Sequence, residues 1–373
     1  MKKHILVSVI NDLNTDQRVH KMCSYMFERG YQVTLIGRQL KNSHTMEYRK
    51  YSTKRMKLIF EKGPLFYAFF NLRLFFVLLF KKCDILVSND LDTLLPNYLV
   101  SKIRRKRLIY DSHEFFTEVP ELVERPKVKR VWERIEKWIF PKLKQIITVN
   151  QSIANKYKEK YGKDLVVVRN VSPLWKAENL KPKIKLGIPE NTKICIMQGA
   201  GLNKDRGVEE AIRAFQYIEN GTLIIVGDGD VIPEMKELTK ELNVTEKVVF
   251  FGKRPYSELL NFTYHADLGL SFDQPSNPNY LFSLPNKIFD YLHASTPILC
   301  SDLIEVKFIV NKYSIGEIVE SFEEKSLAEQ LSRILNHDEQ LELWKSNCEE
   351  AKKIECWENE VDKLATFYPI CEK

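Results

Sequence analysis

The chain has no Cys-x-x-Cys pair and no zinc-type ligand spacing. Its seven cysteines (Cys23, Cys83, Cys195, Cys300, Cys348, Cys356 and Cys371) are scattered and odd in number. That argues against structural zinc and for a reducing compartment. Cys195 and Cys300 fall in apolar runs and are expected to be buried thiols. A Walker loop and a dinucleotide fingerprint are also missing, so neither ATP hydrolysis nor nicotinamide chemistry is supported. There is no RNA-binding signature and no short-period repeat. The longest apolar segment, Pro64–Phe80, is interrupted centrally by Asn71 and Arg73, which argues against a membrane span. The start, Met1–Ile10, superficially resembles a signal peptide but leads into Asn11-Asp12-Leu13-Asn14 rather than a small-residue cleavage site. It reads better as a first buried strand.

What is present suits a globular protein of two domains: 373 residues, 44% hydrophobic and 29% charged. The net charge of +7 is modest but locally clustered, in Lys102–Arg107 and in Lys127–Arg134 with Trp132 and Trp138 nearby. Such clusters suit nucleic acid, anionic lipid or a solvated helix face, and nucleic acid is the weakest of the three here. Pro64–Phe80 has basic flanks, Lys62 and Lys81-Lys82. It reads either as a buried domain helix or as a helix whose outer face docks on a membrane surface.

The first half alternates strand and helix. Strands are expected at His4–Ile10, Gln32–Ile36, Asp84–Val87, Arg107–Tyr110, Gln145–Val149 and Val166–Val168, with a helix over Gln17–Arg29 stopped by Gly30. Val171–Pro189, rich in Lys and Pro, is the natural linker. The pattern then restarts with strands at Ile194–Gln198, Gly221–Val226, Val248–Phe251, Leu268–Ser271 and Pro297–Ser301. Helices are expected at Gly207–Phe215, Ser257–Tyr264 and Asn286–His293. Two successive βαβ series predict an α/β chain of two Rossmann-like domains facing each other across a cleft. The expected division is 1–172, a linker at 173–189, a second domain at 190–355, and a C-terminal helix at 356–373 crossing back to the first.

Three segments carry candidate chemistry. In Ser283–Leu292, Pro285 suits a helix start, and Asn286 and Lys287 fall in the first turn, where free N–H groups favour an anion. Asp290 lies one turn on, on the same face. The alternative is an ordinary amphipathic helix with its polar groups in solvent. In Met197–Gly207, Gly199 and Gly201 permit close backbone approach, and Lys204 and Arg206 could clamp a diphosphate. In Ile109–Glu114 a strand ends in Asp111, His113 and Glu114. There His113 could donate to a substrate oxygen and a carboxylate orient it; a capped turn is the other reading. Gly227-Asp228-Gly229 is a weak signal alone. Asn11–Arg18 joins strand to helix and either faces the cleft or lies in solvent.

In this order the pieces resemble a glycosyltransferase of the GT-B fold, in the large retaining family 4 (glycosyl transferases group 1). The resemblance rests on Thr15-Asp16-Gln17-Arg18-Val19, Asp111-Ser112-His113-Glu114, Arg169-Asn170, Gly199 to Arg206-Gly207, Val226-Gly227-Asp228-Gly229 and Leu284-Pro285-Asn286-Lys287 with Asp290-Tyr291. It implies an acceptor-binding N-terminal domain and a C-terminal domain that binds a nucleotide sugar, UDP- or GDP-linked. It implies Arg206 on the diphosphate, Asp290 on ribose hydroxyls and His113 against the donor sugar, with Glu114 beside it. Base contacts are expected near Gly252-Lys253. It further implies transfer with retention, without a metal or cofactor, through an ion pair rather than a covalent intermediate. Two positions depart from the family pattern. The first Glu of Glu-x7-Glu is Phe282, and the Arg expected six residues before Arg206 is Ala200.

The leading expectation is therefore a cytoplasmic sugar transferase acting on a glycan acceptor, lipid-linked as in capsule, O-antigen or protein-glycan assembly. It would sit peripherally on the inner face of the membrane through residues 62–82 and 102–107. Two alternatives remain open: a nucleotide-sugar epimerase, and a catalytically silent partner or scaffold that keeps the fold. Nucleic acid is not expected as a partner.

Overall fold

The computed structural model describes residues 2–14, 16–43, 45–46, 48–123, 125–178 and 180–371. Thr15, part of the motif beginning Thr15-Asp16, lies outside them. The chain divides into two compact units: Met1–Asn170 with Val361–Lys373, and Val171–Glu360.

Unit 1 is built on a seven-stranded sheet: β1 (His4–Asp12), β2 (Gln32–Gln39), β3 (Ser52–Lys57), β4 (Ile85–Asn89), β5 (Arg107–Ser112), β6 (Ile146–Thr148) and β7 (Val166–Val167). Its spatial order is β3-β2-β1-β4-β5-β6-β7, with every pairing parallel. Unit 2 carries β8 (Ile194–Gly199), β9 (Thr222–Gly227), β10 (Val248–Phe250), β11 (Leu268–Ser271), β12 (Ile298–Cys300) and β13 (Gly316–Ile318). Their order is β10-β9-β8-β11-β12-β13, again all parallel. Both units are Rossmann-like. Sheets of this kind are covered by helices on both faces, so their central strands are continuous apolar runs, as Ile85–Val87 and Ile194–Met197 are. Strand order reverses between β1 and β4, and between β8 and β11. Ligands of doubly wound sheets bind beside such reversals, outside the carboxyl ends of the strands.

The expected strands all form, within a few residues at their ends. Two strands go unread in the sequence: β3, whose exposed and Lys-rich edge hides its pairing with β2, and β13, three half-buried residues paired with β12. Helix Asn286–His293 has the bounds expected of it. The segment expected as a linker is not wholly extended: Lys183–Leu186 is helical, and Leu186 and Ile188 are buried in the core of unit 2. The helix expected over 356–373 is instead a short helix Trp357–Glu360 and a 3-10 turn Val361–Leu364. Beyond it Tyr368 is fully buried in unit 1, and Tyr31 donates to the Pro369 carbonyl at 2.8 Å.

Unit 2's first and last segments are tied together. Trp357 N–H donates to the Ser172 carbonyl at 3.0 Å, and Leu174 N–H to Glu358 Oε2 at 3.0 Å. His293 completes the join: Nδ1 accepts from Trp175 N–H at 3.2 Å, while Nε2 lies 2.9 Å from the Glu355 carbonyl. An imidazole accepting on one side must donate on the other, so this buried ring is a neutral Nε2–H tautomer.

Helix Gly63–Phe80 has two apolar faces. Phe66, Phe70, Leu74 and Leu78, spaced every four residues, fill the core against β1, β2 and β4. Each such burial is worth about 1.5–3 kcal/mol. The other face leaves Leu65, Leu72, Phe76 and Phe80 exposed, Phe80 at 79%. By length and composition the helix is apolar enough to cross a membrane, although its inward stripe belongs to the domain core.

Candidate active site

In unit 2 the first element is a pair of interlocked loops. Gly227 adopts φ +153°, and a Cβ there would lie 1.8 Å from the Gly199 carbonyl oxygen. A Cβ on Gly229 would lie 2.1 Å from that of Leu202. Only glycine allows this approach, which lets Leu202 N–H donate to the Asp228 carbonyl at 2.9 Å and Asp228 N–H to Gly199 at 3.1 Å. The weak Gly227-Asp228-Gly229 signal is thus a packing device that sets the loop after β8. Gly201 is exposed in that loop, as is Lys204.

The loop ends at Arg206, which meets a residue the sequence reading passed over. Arg206 Nη1 lies 2.5 Å from Asp273 Oδ1, and Lys287 Nζ lies 2.8 Å from Asp273 Oδ2. Asp273 follows β11, so the three groups come from the two strands beside the reversal and from helix Asn286–His293. Its carboxylate is fully buried and also accepts from Ser271 Oγ at 3.1 Å. Burial alone would raise its pKa, but Lys287 and Arg206 outweigh burial and lower it to about 2. Arg206 lies over the Tyr280 ring, 4.1 Å from its centroid, and among the described residues its Nε has no hydrogen-bond acceptor. The cluster carries two positive charges against one negative.

Asn286 is exposed in the first turn of the helix. Asp290, one turn on, is buried. Its Oδ1 accepts from Ser172 Oγ at 2.8 Å and from the Tyr256 hydroxyl at 2.7 Å, and its Oδ2 from Gln198 at 3.3 Å. The structure therefore gives Asp290 a protein-organising task that its place in the motif did not reveal. Gly252 and Lys253 are exposed after β10 at the sheet edge, two places from β8, with Gly252 at φ +66°.

Unit 1 holds a second cluster at the carboxyl ends of β4 and β5. Arg18, in the first turn of helix Gln17–Glu28, donates Nη2 to Asp111 Oδ1 at 2.8 Å and Nε to Oδ2 at 3.3 Å. Its Nη1 donates to the Val168 carbonyl at 2.7 Å. Both side chains are buried, and Asp111 is held well below the usual carboxylate range: burial opposes this, but Arg18 and His113 outweigh it. The bidentate geometry explains why an arginine stands here rather than a lysine. His113 Nε2 lies 3.3 Å from Asp111 Oδ2, outside hydrogen-bond geometry. Its Nδ1 lies 3.2 Å from Asp90 Oδ2, and its backbone N–H donates to Asp90 Oδ1 at 2.7 Å. Asp90 is another residue the sequence reading missed. Its signal was position: it follows a buried strand at the reversal. Glu114 is half-buried, and its carbonyl accepts from Ser112 Oγ at 2.9 Å.

Comparison with known proteins covers nearly the whole chain. Residues 16–171 match the family model described as Glycosyltransferase Family 4, and residues 180–351 that described as Glycosyl transferases group 1. An uncharacterized glycosyltransferase of Methanocaldococcus jannaschii is 28% identical over 122 residues, 29% of this chain; the chain spans 31% of that relative's length. Three solved structures are similar in fold. A glycosyltransferase from Rickettsia africae has a TM-score of 0.75 at 16% identity, covering 98% of both chains. A sucrose-phosphate synthase from Thermosynechococcus elongatus has 0.77 at 16%, again covering 98% of both. An Anabaena protein solved with UDP-glucose has 0.72 at 15%, covering 98% of this chain and 100% of that one.

Proposed function

The chain belongs to the GT-B glycosyltransferases, a family 4 half followed by a group 1 half, and from that premise we propose that it moves a sugar from a nucleoside-diphosphate donor to a glycan acceptor. The observation that carries the donor assignment is the sharing of Asp273 by Arg206 and Lys287. One buried carboxylate draws two cations together and leaves an excess positive charge beside the reversal of the sheet. The N-terminal turn of helix Asn286–His293 adds backbone N–H groups to that charge. Together they suit a diphosphate, both bound and departing, without assigning any step to a metal. The Anabaena relative solved with UDP-glucose supports a nucleotide sugar as the ligand class. Transfer proceeds with retention through a short-lived ion pair. Asp290 sets Tyr256 and Ser172 beside the donor, and its implied ribose contact would compete with their hydroxyls.

The acceptor is a lipid-linked glycan, and the outer face of helix Gly63–Phe80 carries that part of the reading. Leu65, Leu72, Phe76 and Phe80 are exposed between basic flanks, which is the composition of a surface that lies on anionic lipid. Arg104, in the second basic stretch, is instead partly committed inward, donating to the carbonyls of Leu78 and Lys81 at 2.7 Å each. This surface supports reading the protein as cytoplasmic and peripheral on the inner face of the membrane.

Calorimetric titration with UDP and GDP tests the donor site, alongside a variant carrying Lys287→Met and Asp273→Asn. The paired change removes one cation and its buried partner's charge together, so the site loses one of its two diphosphate donors while its net charge stays the same. Saturable binding of one nucleotide, weakened at least tenfold in the variant, is expected. A failure to bind either nucleotide would favour the silent-scaffold reading, for which Phe282 and Ala200 are the motive. Flotation on anionic vesicles tests the membrane face: Phe76→Ser with Phe80→Ser should abolish it, and unchanged flotation would sink the surface assignment.

A further inference from the structure

Among the described residues of unit 1, His113 has both ring nitrogens facing carboxylates. Nδ1 lies 3.2 Å from Asp90 Oδ2, and Nε2 lies 3.3 Å from Asp111 Oδ2. An ionised carboxylate only accepts hydrogen bonds, and a neutral imidazole has only one N–H to give. Asp111 is ionised because Arg18 grips both its oxygens. Burial raises the pKa of Asp90, while the charge of His113 and the His113 backbone N–H, which donates to the other Asp90 oxygen at 2.7 Å, both favour its ionised form. We propose that Asp90 is a positioning residue of this site: together with Asp111 it holds His113 as an imidazolium, fixed in plane and charge.

Asp90 itself is placed at some cost. Its backbone adopts φ +57° and ψ 169°, a region that glycine normally occupies, at a cost of about 1–3 kcal/mol. Surrounding bonds hold it there: its N–H donates to the Asp111 carbonyl at 2.9 Å, and the neighbouring Asn89 donates to the Ser8 carbonyl at 2.9 Å. The strain aims the carboxylate at His113. With Arg18 and His113 positive and Asp90 and Asp111 negative, the four-residue cluster is neutral as a whole.

The groups facing the cluster agree with this balance. Asp16 caps the helix that carries Arg18, and its carboxylate is engaged by Val19 N–H at 3.0 Å. Asp92, on helix Leu91–Ile103, is pushed well above the usual carboxylate range by burial, then by Asp90 and Glu114. Arg38 acts on Asp92 in the opposite sense. For His113, burial lowers the pKa, but Asp90 and Asp111 outweigh it and raise the pKa to about 9. A ring held this way has no lone pair to take a proton. It serves as a fixed cation, and the carboxylate beside it that reaches solvent is Asp90, 16% exposed.

This deepens the reading of unit 1 as the acceptor half and rests on that reading only for its kinetic arm. Asp90→Asn is the informative change: the amide oxygen can still receive the His113 N–H, while the NH2 group would face Nδ1 and require a lone pair there. Ring nitrogens are read by NMR on histidine-15N-labelled protein, with His113→Gln assigning the signal. In the wild type, both His113 nitrogens should be protonated at neutral pH; in Asp90→Asn, Nδ1 should lose its proton. The alkaline limb of kcat/KM should move down by about two pH units, with the nucleotide Kd unchanged. A wild-type ring with one bare nitrogen at neutral pH would overturn the proposal, and so would a variant with unaltered ring signals. The wild-type spectrum decides even if the variant fails to fold. Loss of nucleotide binding in the wild type would instead count against the proposed function and leave the ring result standing.

Discussion

The two units solve the same problem at a sheet reversal with opposite charge balances. Unit 2 gathers two permanent cations, Arg206 and Lys287, on one carboxylate. Unit 1 sets one permanent cation and one titratable ring, Arg18 and His113, between two carboxylates. The first arrangement leaves positive charge over for an anion of fixed charge. The second is balanced only while His113 is protonated. A buried ionic cluster therefore says little about function until its charges are counted and its titratable members identified.

The hardest way to break the comparison is to remove the cation from each side. Arg18→Ala strands a fully buried Asp111 and is expected to destabilise unit 1 by about 3–5 kcal/mol, measured by denaturant unfolding. Lys287→Ala leaves Asp273 with Arg206 still in place, so the expected loss is smaller, about 1.5–3 kcal/mol. If the two changes cost the same, the second cation of unit 2 is structural rather than reserved for a ligand.

A pH series sharpens the contrast. Asp273 and Asp111 both have folded pKa values below the unfolded carboxylate value. Their stabilisation is present above about pH 4 and is lost as the pH falls, for Asp273 toward about 2. His113 has a folded pKa above its unfolded value, so its contribution is full below about 6.5 and lost as the pH rises through about 9. Acid should weaken both clusters, whereas alkali should weaken that of unit 1 alone. Amide exchange followed across β5 and β11 reads the two separately, and equal alkaline loss in both would contradict the assignment. The smallest effect belongs to the outer helix face. Phe76→Ser should change stability by within about 0.5 kcal/mol, since this ring is 48% exposed.

The strands and the helix starting at Asn286 were legible because buried parallel strands are apolar runs and Pro285 marks a helix entry. Arg206 and Lys287 were legible as candidate cations because a glycine loop and a helix start each have local signatures, and the structure brings both to Asp273. Asp273 and Asp90 were not. Each follows a strand without a motif, and its importance lies in partners remote in sequence: Arg206 is 67 positions from Asp273. Asp290 shows the converse. Its motif position points to a ligand, while its partners, Ser172 and Gln198, are set by the fold and cannot be read from spacing. Helix Gly63–Phe80 was legible as a pair of alternatives, core helix or outward-docking helix, and it has both a buried core stripe and an exposed apolar face.

The chain leaves unit 1 at Asn170 and comes back to it only at Val361. The returning stretch is no ornament: Tyr368 is fully buried there, and Cys371 N–H donates to the Arg29 carbonyl at 2.9 Å. On the ribosome, every residue of unit 2 is made before this closing stretch exists. The first unit to be synthesised is therefore the last to be finished, and it must wait with an open seam beside Tyr31 while its younger neighbour folds.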